Sequence, residues 1–128
     1  MRVTVFVNDE HGVSPRVTAA PTLEPLPAWD GMALNGVSLY TIEERGDIQL
    51  QLVEIDAGGH FVMHSSPKLA FCHVVRGAGS LGMPGGRSLA YRGPETYVFH
   101  PDTLHDWHEV TEATLLAVAI MPDGRPGG

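Results

Sequence analysis

Six of the seven histidines fall in one stretch of the chain: His60, His64, His73, His100, His105 and His108. Imidazole titrates near neutrality and is also the commonest side-chain ligand for transition metals. A concentration of this kind points to proton transfer or to a bound ion. Which rings can act together depends on the elements that carry them. In a strand, alternate residues share a face and lie about 6–7 Å apart. His60 and His64 share parity, but four strand residues separate them by about 13 Å. With metal–nitrogen bonds of about 2 Å, that pair would strain to share one ion. His73 is out of phase with Ala70, and His108 is out of phase with His105. His100 sits at a turn, before Pro101. The plain reading of His60, His73, His100 and His108 is a partly exposed strand or loop histidine.

The elements around them are β-rich. Fifteen glycines and ten prolines are scattered between short apolar runs instead of being gathered in one linker, which predicts many short strands joined by turns. Val3–Val7 reads as a first strand. Residues 8–28 carry Pro15, Pro21, Pro25 and Pro27 and read as a long loop that wraps the fold or lies on a partner. Strands follow within 32–42, 47–55, 60–64 and 70–75. The Pro84-Gly85-Gly86 turn predicts a hairpin between 80–83 and 87–91. Further strands are expected at 96–99, 106–110 and 114–120, with a frayed tail over 122–128. That makes nine or ten strands, no helix and no internal repeat: a sandwich or barrel.

Bulk properties narrow the function classes. At 128 residues the chain suits one domain with a single core. The formal net charge is −7 and no basic patch occurs, which argues against nucleic acid. No apolar run reaches the length of a membrane span, and the N-terminus lacks the apolar stretch of a signal peptide. Cys72 is the single cysteine, so no internal disulfide forms and a cytoplasmic location is expected.

Two blocks then stand out by spacing. The first is Gly58, five residues, His64, one residue, Ser66, three residues, Ala70, six residues, Gly77. The second runs from Gly93-Pro94 through His100, Asp102 and His105 to Glu109. Over about residues 35–121 the chain resembles the cupin superfamily, whose motifs read G-x5-H-x-H-x3-E-x6-G and G-x5-P-x-G-x2-H-x3-N. Gly58, His64, Gly77 and His105 match. Ser66 stands in the slot of the second histidine and Ala70 in that of the glutamate. In the second block Pro94, His100, Asp102 and Glu109 replace the glycine, proline, glycine and asparagine. The resemblance implies an all-β, cupin-type double-stranded β-helix, or jelly-roll barrel. The resemblance further implies a single domain over 1–128, with an N-terminal strand and proline-rich arm over 1–30. The same resemblance implies that His64 and His105 lie in the barrel mouth, with imidazoles expected about 3–7 Å apart.

Other marked residues are weighed against that frame. Glu109 has the parity of His105, and an inward carboxylate there would serve as acid/base or third ligand. Trp107 has the same parity and reads as core or as a pocket wall. Cys72 reads as a small core residue in preference to a nucleophile. Three functions follow. The first is a small-molecule enzyme with isomerase, cyclase or lyase-like acid/base chemistry by His64 and His105, aided by Glu109; metal-free epimerases and cyclases occur among cupins of this kind. The second is a metal-dependent, dioxygenase-like cupin in which His64 and His105 bind Fe, Mn, Ni or Zn, completed by His60, His73 or His100. The third is a barrel that binds a small ligand for sensing or storage. A homodimer is expected in each, with the N-terminal strand and arm as the contact.

Overall fold

Three strands of 14 to 17 residues frame the molecule: β7 (Ile48–His64), β8 (Leu69–Gly82) and β11 (His105–Met121). Sequence punctuation divided each of them into two. In the computed structural model, which describes residues 1–124, each runs on through its glycines and bends instead. Gly77 shows why. Its φ is +114°, and a Cβ there would meet the Ala113 carbonyl oxygen at 2.7 Å and the side chain of Thr114. Only glycine permits β8 to turn this corner against β11. At Gly59 a Cβ would lie 2.8 Å from both the Asn35 and Asp56 carbonyls, so β7 turns its own corner in the same way. Residues 125–128 of the expected frayed tail lie outside the described residues.

The remaining elements are β1 (Val3–Asp9), β2 (Gly12–Thr18), β3 (Glu24–Pro25), β4 (Ala28–Trp29), β5 (Met32–Ala33), β6 (Asn35–Arg45), β9 (Ser88–Arg92) and β10 (Glu95–Phe99). Every pairing is antiparallel, and the main sheet has the order β10-β8-β11-β7-β6-β3 with β9 beside β8. The corners split this sheet into two facing layers. One holds residues 48–55 of β7, 69–74 of β8 and 115–121 of β11. The other holds residues 61–64, 78–82 and 105–108 of the same strands. This is the expected jelly-roll barrel. No helix occurs among the described residues, so none is long and apolar enough to cross a membrane.

The core forms between the layers from both halves of each strand: Val53, Ile55, Cys72, Val74 and Leu116 against Phe61, Leu81, Tyr91 and Trp107. Trp107 is 2% exposed and Tyr91 meets it edge to face at 5.2 Å between centroids. Burying two such rings removes apolar surface from water and contributes two of the roughly 2–3 kcal/mol terms that hold the barrel closed. The Tyr91 hydroxyl is satisfied inside: Thr114 Oγ1 donates to the Glu112 carbonyl at 3.0 Å and accepts from Tyr91 Oη at 2.7 Å.

The N-terminal region departs from its expected loop. Residues 12–18 pair with β1 as a hairpin, Phe6 facing Pro15 and Asn8 facing Val13. Pro15 is tolerated because β2 is an edge strand. The proline-rich segment beyond it does wrap the barrel. Leu26 N–H donates to the Val37 carbonyl at 2.8 Å and Leu34 N–H to that of Pro27 at 2.9 Å.

Candidate active site

His64 ends β7 and His105 begins β11, directly opposite one another in the ladder. Their rings lie 4.4 Å apart between centroids. They come together because β7 carries a bulge: His105 pairs with His64 and Trp107 with Phe61, two residues against three. The extra residue turns Phe61 and His64 to the same side. The expectation that His60 shares the face of His64 fails for this reason. His60 points outward, its Nε2 3.5 Å from the Asp106 carboxylate.

Each imidazole is tied to the backbone two residues before it. His64 Nδ1–H donates to the Val62 carbonyl at 2.7 Å, and His105 Nδ1–H donates to that of Thr103 at 3.0 Å. The proton of each neutral ring is thereby held on Nδ1, leaving Nε2 with a lone pair. Neither Nε2 is hydrogen-bonded within the described residues. The pair sits in a column of rings. Phe99 stacks on His105 at 3.7 Å with 6° between planes, and Phe61 packs on His64 at 4.3 Å, with Trp29 beyond it.

Burial sets the charge. His105, only 5% exposed, has its pKa lowered to about 4, chiefly by loss of water, with the bond to Thr103 opposing and the neighbouring His64 adding to the fall. The pKa of His64 is also lowered by burial, against opposing effects of the Val62 carbonyl and Asp106. Both shifts favour the neutral ring at pH 7.

They line a cavity of about 230 Å³ in the barrel mouth. Its walls are mostly apolar, from Val53, Phe61, Phe99, Trp107, Leu116 and Val118. Among the described residues, no aspartate, glutamate or arginine lines it. Leu26 and Trp29 of the proline-rich segment close one side. Ser66 also lines the cavity, but its Oγ accepts from Lys68 N–H at 3.1 Å, shaping the turn before β8. Asp102 N–H donates to the Ser66 carbonyl at 2.7 Å and joins the two loops at the mouth.

The other candidate residues divide. His100 stands exposed at the rim, lining both this cavity and a shallower hollow beside Leu69 and Pro101. His73 points outward, 2.8 Å from Thr96 Oγ1. His108 faces Asp106 at 2.9 Å on the outer side. Glu109 is a correction: it is exposed and lines a surface hollow with Arg92 and Thr111, away from the histidine pair. A bulge in β11 is the cause. His108 pairs with Ser80 and Glu112 with Ala78, four residues against two, and Glu109 takes φ +47°. The inward place passes to Val110, which is buried in the core. Cys72 lines the cavity as a buried thiol pushed up to about 12 by loss of water, which removes its nucleophilic form.

A metal would find two good donors here. The Nδ1–H bonds to carbonyl oxygens are the arrangement that supports imidazole ligands. Ser66 and Ala70 occupy the positions from which further ligands would come. Among the described residues, no three His, Cys, Asp or Glu side chains converge where an ion could be held. The residues therefore do not fit a resident three- or four-ligand centre, with or without His60, His73, His100 or Glu109.

Phe99, Trp29 and Phe61 escape sequence reasoning because their roles depend on which neighbour they stack upon. The Val62 and Thr103 carbonyls carry no side-chain signature at all.

No protein-family profile matches the chain, and no curated protein matches it. Solved structures do. A cupin 2 conserved barrel domain protein from Rhodopseudomonas palustris superposes with TM-score 0.69 at 12% identity, over 94% of this chain and 79% of that one. An RmlC-like cupin from Shewanella frigidimarina gives 0.65 at 13% identity, over 79% and 83%. KdgF from a Halomonas species gives 0.58 at 17% identity, over 66% and 80%. At these identities the likeness establishes the fold and leaves the chemistry to the site itself.

Proposed function

We propose, for a chain with the fold of the cupin superfamily, an enzyme that moves a proton on a small organic molecule held in the barrel mouth. His64 and His105 are its acid/base pair. The observation that carries this reading is the pair of rings 4.4 Å apart in the lining of a mostly apolar cavity, each anchored through Nδ1 so that its Nε2 keeps a lone pair. Loss of water weakens each ring as a base in isolation. Once one ring is charged, the other resists protonation, so the pair holds a single proton. It can return that proton to a different atom of the substrate, which is the requirement of an isomerase. Glu109 takes no part, being on the outside.

The test is deuterium incorporation. Small cyclic and acyclic ketones are incubated with the protein in D2O and their proton NMR signals followed. Enzyme-dependent loss of an α-proton signal, abolished in both His64→Ala and His105→Ala at unchanged thermal stability, supports the reading. Saturable ligand binding with no exchange in any candidate would place the protein with binding and sensing barrels. Stoichiometric uptake of Fe, Mn, Ni or Zn that depends on both histidines would favour the metal-dependent alternative.

The same proposal includes a homodimer. Among the described residues the β1–β2 hairpin pairs only with itself, and a two-stranded hairpin alone is marginal in water. Phe6, Val13 and Val17 lie on one of its faces at 71%, 68% and 55% exposure. The outer face of the barrel offers a matching apolar row, Val98, Phe71, Ala119 and Leu50, running across four adjacent strands. A second copy exchanging hairpins across a two-fold axis covers both surfaces at once.

A further inference from the structure

The cavity's own chemistry narrows its ligand. A buried cation is best paired by a carboxylate, and the described lining has none. A buried anion would need a free positive group. Lys68, the one such residue among the described lining, turns to the rim, where its Nζ donates to the Asp47 carbonyl at 3.2 Å and lies 4.0 Å from the Asp47 carboxylate. The formal net charge of −7 further disfavours an anion. Taking either kind of charge out of water without a partner is costly. The occupant is therefore neutral.

Its size and shape follow from the walls. About 230 Å³ is below the roughly 300–1,000 Å³ of sites for drug-sized molecules. Trp29, Phe61 and Phe99 present aromatic surfaces, which favour a flat ring in offset or edge contact. The polar demand is equally specific. Both rings line the cavity, and neither Nε2 has a hydrogen-bond donor among the described residues. A ligand must bring its own proton donor to that end.

We infer that the site takes a neutral, single-ring molecule bearing a hydroxyl donor, a phenol or cyclic enol, its O–H directed at the His64–His105 pair and its ring held among Trp29, Phe61 and Phe99. This rests on the reading of the two histidines as a ligand-facing pair and adds the class of molecule they face.

Three probes of similar size separate the alternatives: phenol, toluene and benzoate, each titrated by calorimetry into the full chain at pH 7.5. A purely apolar cavity prefers toluene, because burying a hydroxyl without a partner is penalised. An acceptor at the right place reverses the order. The expected result is phenol bound about tenfold more tightly than toluene, the size of one net hydrogen bond, with no detectable binding of benzoate. In His105→Phe the preference should fall to about twofold or invert, since one of the two acceptors is gone and the ring replacing it is apolar. Toluene equal to or tighter than phenol in the wild-type protein overturns the inference, and so does benzoate tighter than phenol or no binding of any probe. The wild-type order decides the matter even if the variant fails to fold. Phenol bound in this order with no deuterium exchange in any ketone would sink the proton-transfer reading alone. Exchange without phenol binding would sink this one alone.

Discussion

Acid should destabilise this protein through His105 in particular. A ring held neutral in the folded state, with a pKa of about 4 against an ordinary 6.5, binds fewer protons folded than unfolded. The sign follows: the contribution is complete above pH 6.5 and is lost as the pH falls toward 4. At pH 5 the unfolded ring is almost wholly charged and the folded ring almost wholly neutral. Linkage then gives a loss of about 2 kcal/mol at pH 5, rising to roughly 3 kcal/mol below pH 4. Carboxylates and the other histidines titrate over the same range, so the wild-type curve alone would not isolate the effect. His105→Gln keeps a polar group of similar length and removes the titration. Urea unfolding of both proteins between pH 7.5 and 5 gives the two curves. The stability difference between them should move by about 2 kcal/mol in favour of the variant as the pH falls. Parallel curves would refute the reasoning, because they would mean that His105 carries the same charge in both states.

Gly77→Ala should destabilise the fold by about 2 kcal/mol or more, from a strained φ and a collision with Ala113 and Thr114, read as a lowered urea midpoint. Tyr91→Phe leaves Thr114 Oγ1 as a donor but removes a buried bond to it. About 1 kcal/mol of stability should go, with no change in ligand binding. Phe6→Glu should shift the protein toward monomer in sedimentation at micromolar concentration without altering its melting cooperativity. A monomeric wild-type protein under the same conditions would remove the hairpin exchange.

Much of the barrel was legible because its determinants are local. Gly58, Gly77 and the Pro84-Gly85-Gly86 turn require backbone conformations that few other residues adopt, and φ at Gly58 is +80° as well. His64 and His105 stood out by their distance from those glycines. What failed was parity. Bulges near Val62 and at Glu109 each insert backbone that no residue type announces, and each inverts the facing of what lies beyond. Hence His60 turned out and Val110 replaced Glu109. The hairpin over residues 12–18 was hidden by Pro15, which excludes a central strand but not an edge. The walls supplied by Leu26 and Trp29 were not legible either, since they depend on how a proline-rich segment wraps a barrel formed by residues far along the chain.

The central claim concerns two atoms, Nε2 of His64 and Nε2 of His105. Nitrogen-15 NMR of the histidine rings at pH 7 reads the protonation of each directly, with His64→Gln and His105→Gln to assign the signals. Both rings are predicted to be neutral with the proton on Nδ1 and an unprotonated Nε2. A charged ring, or a proton on Nε2 of either residue, would contradict the account.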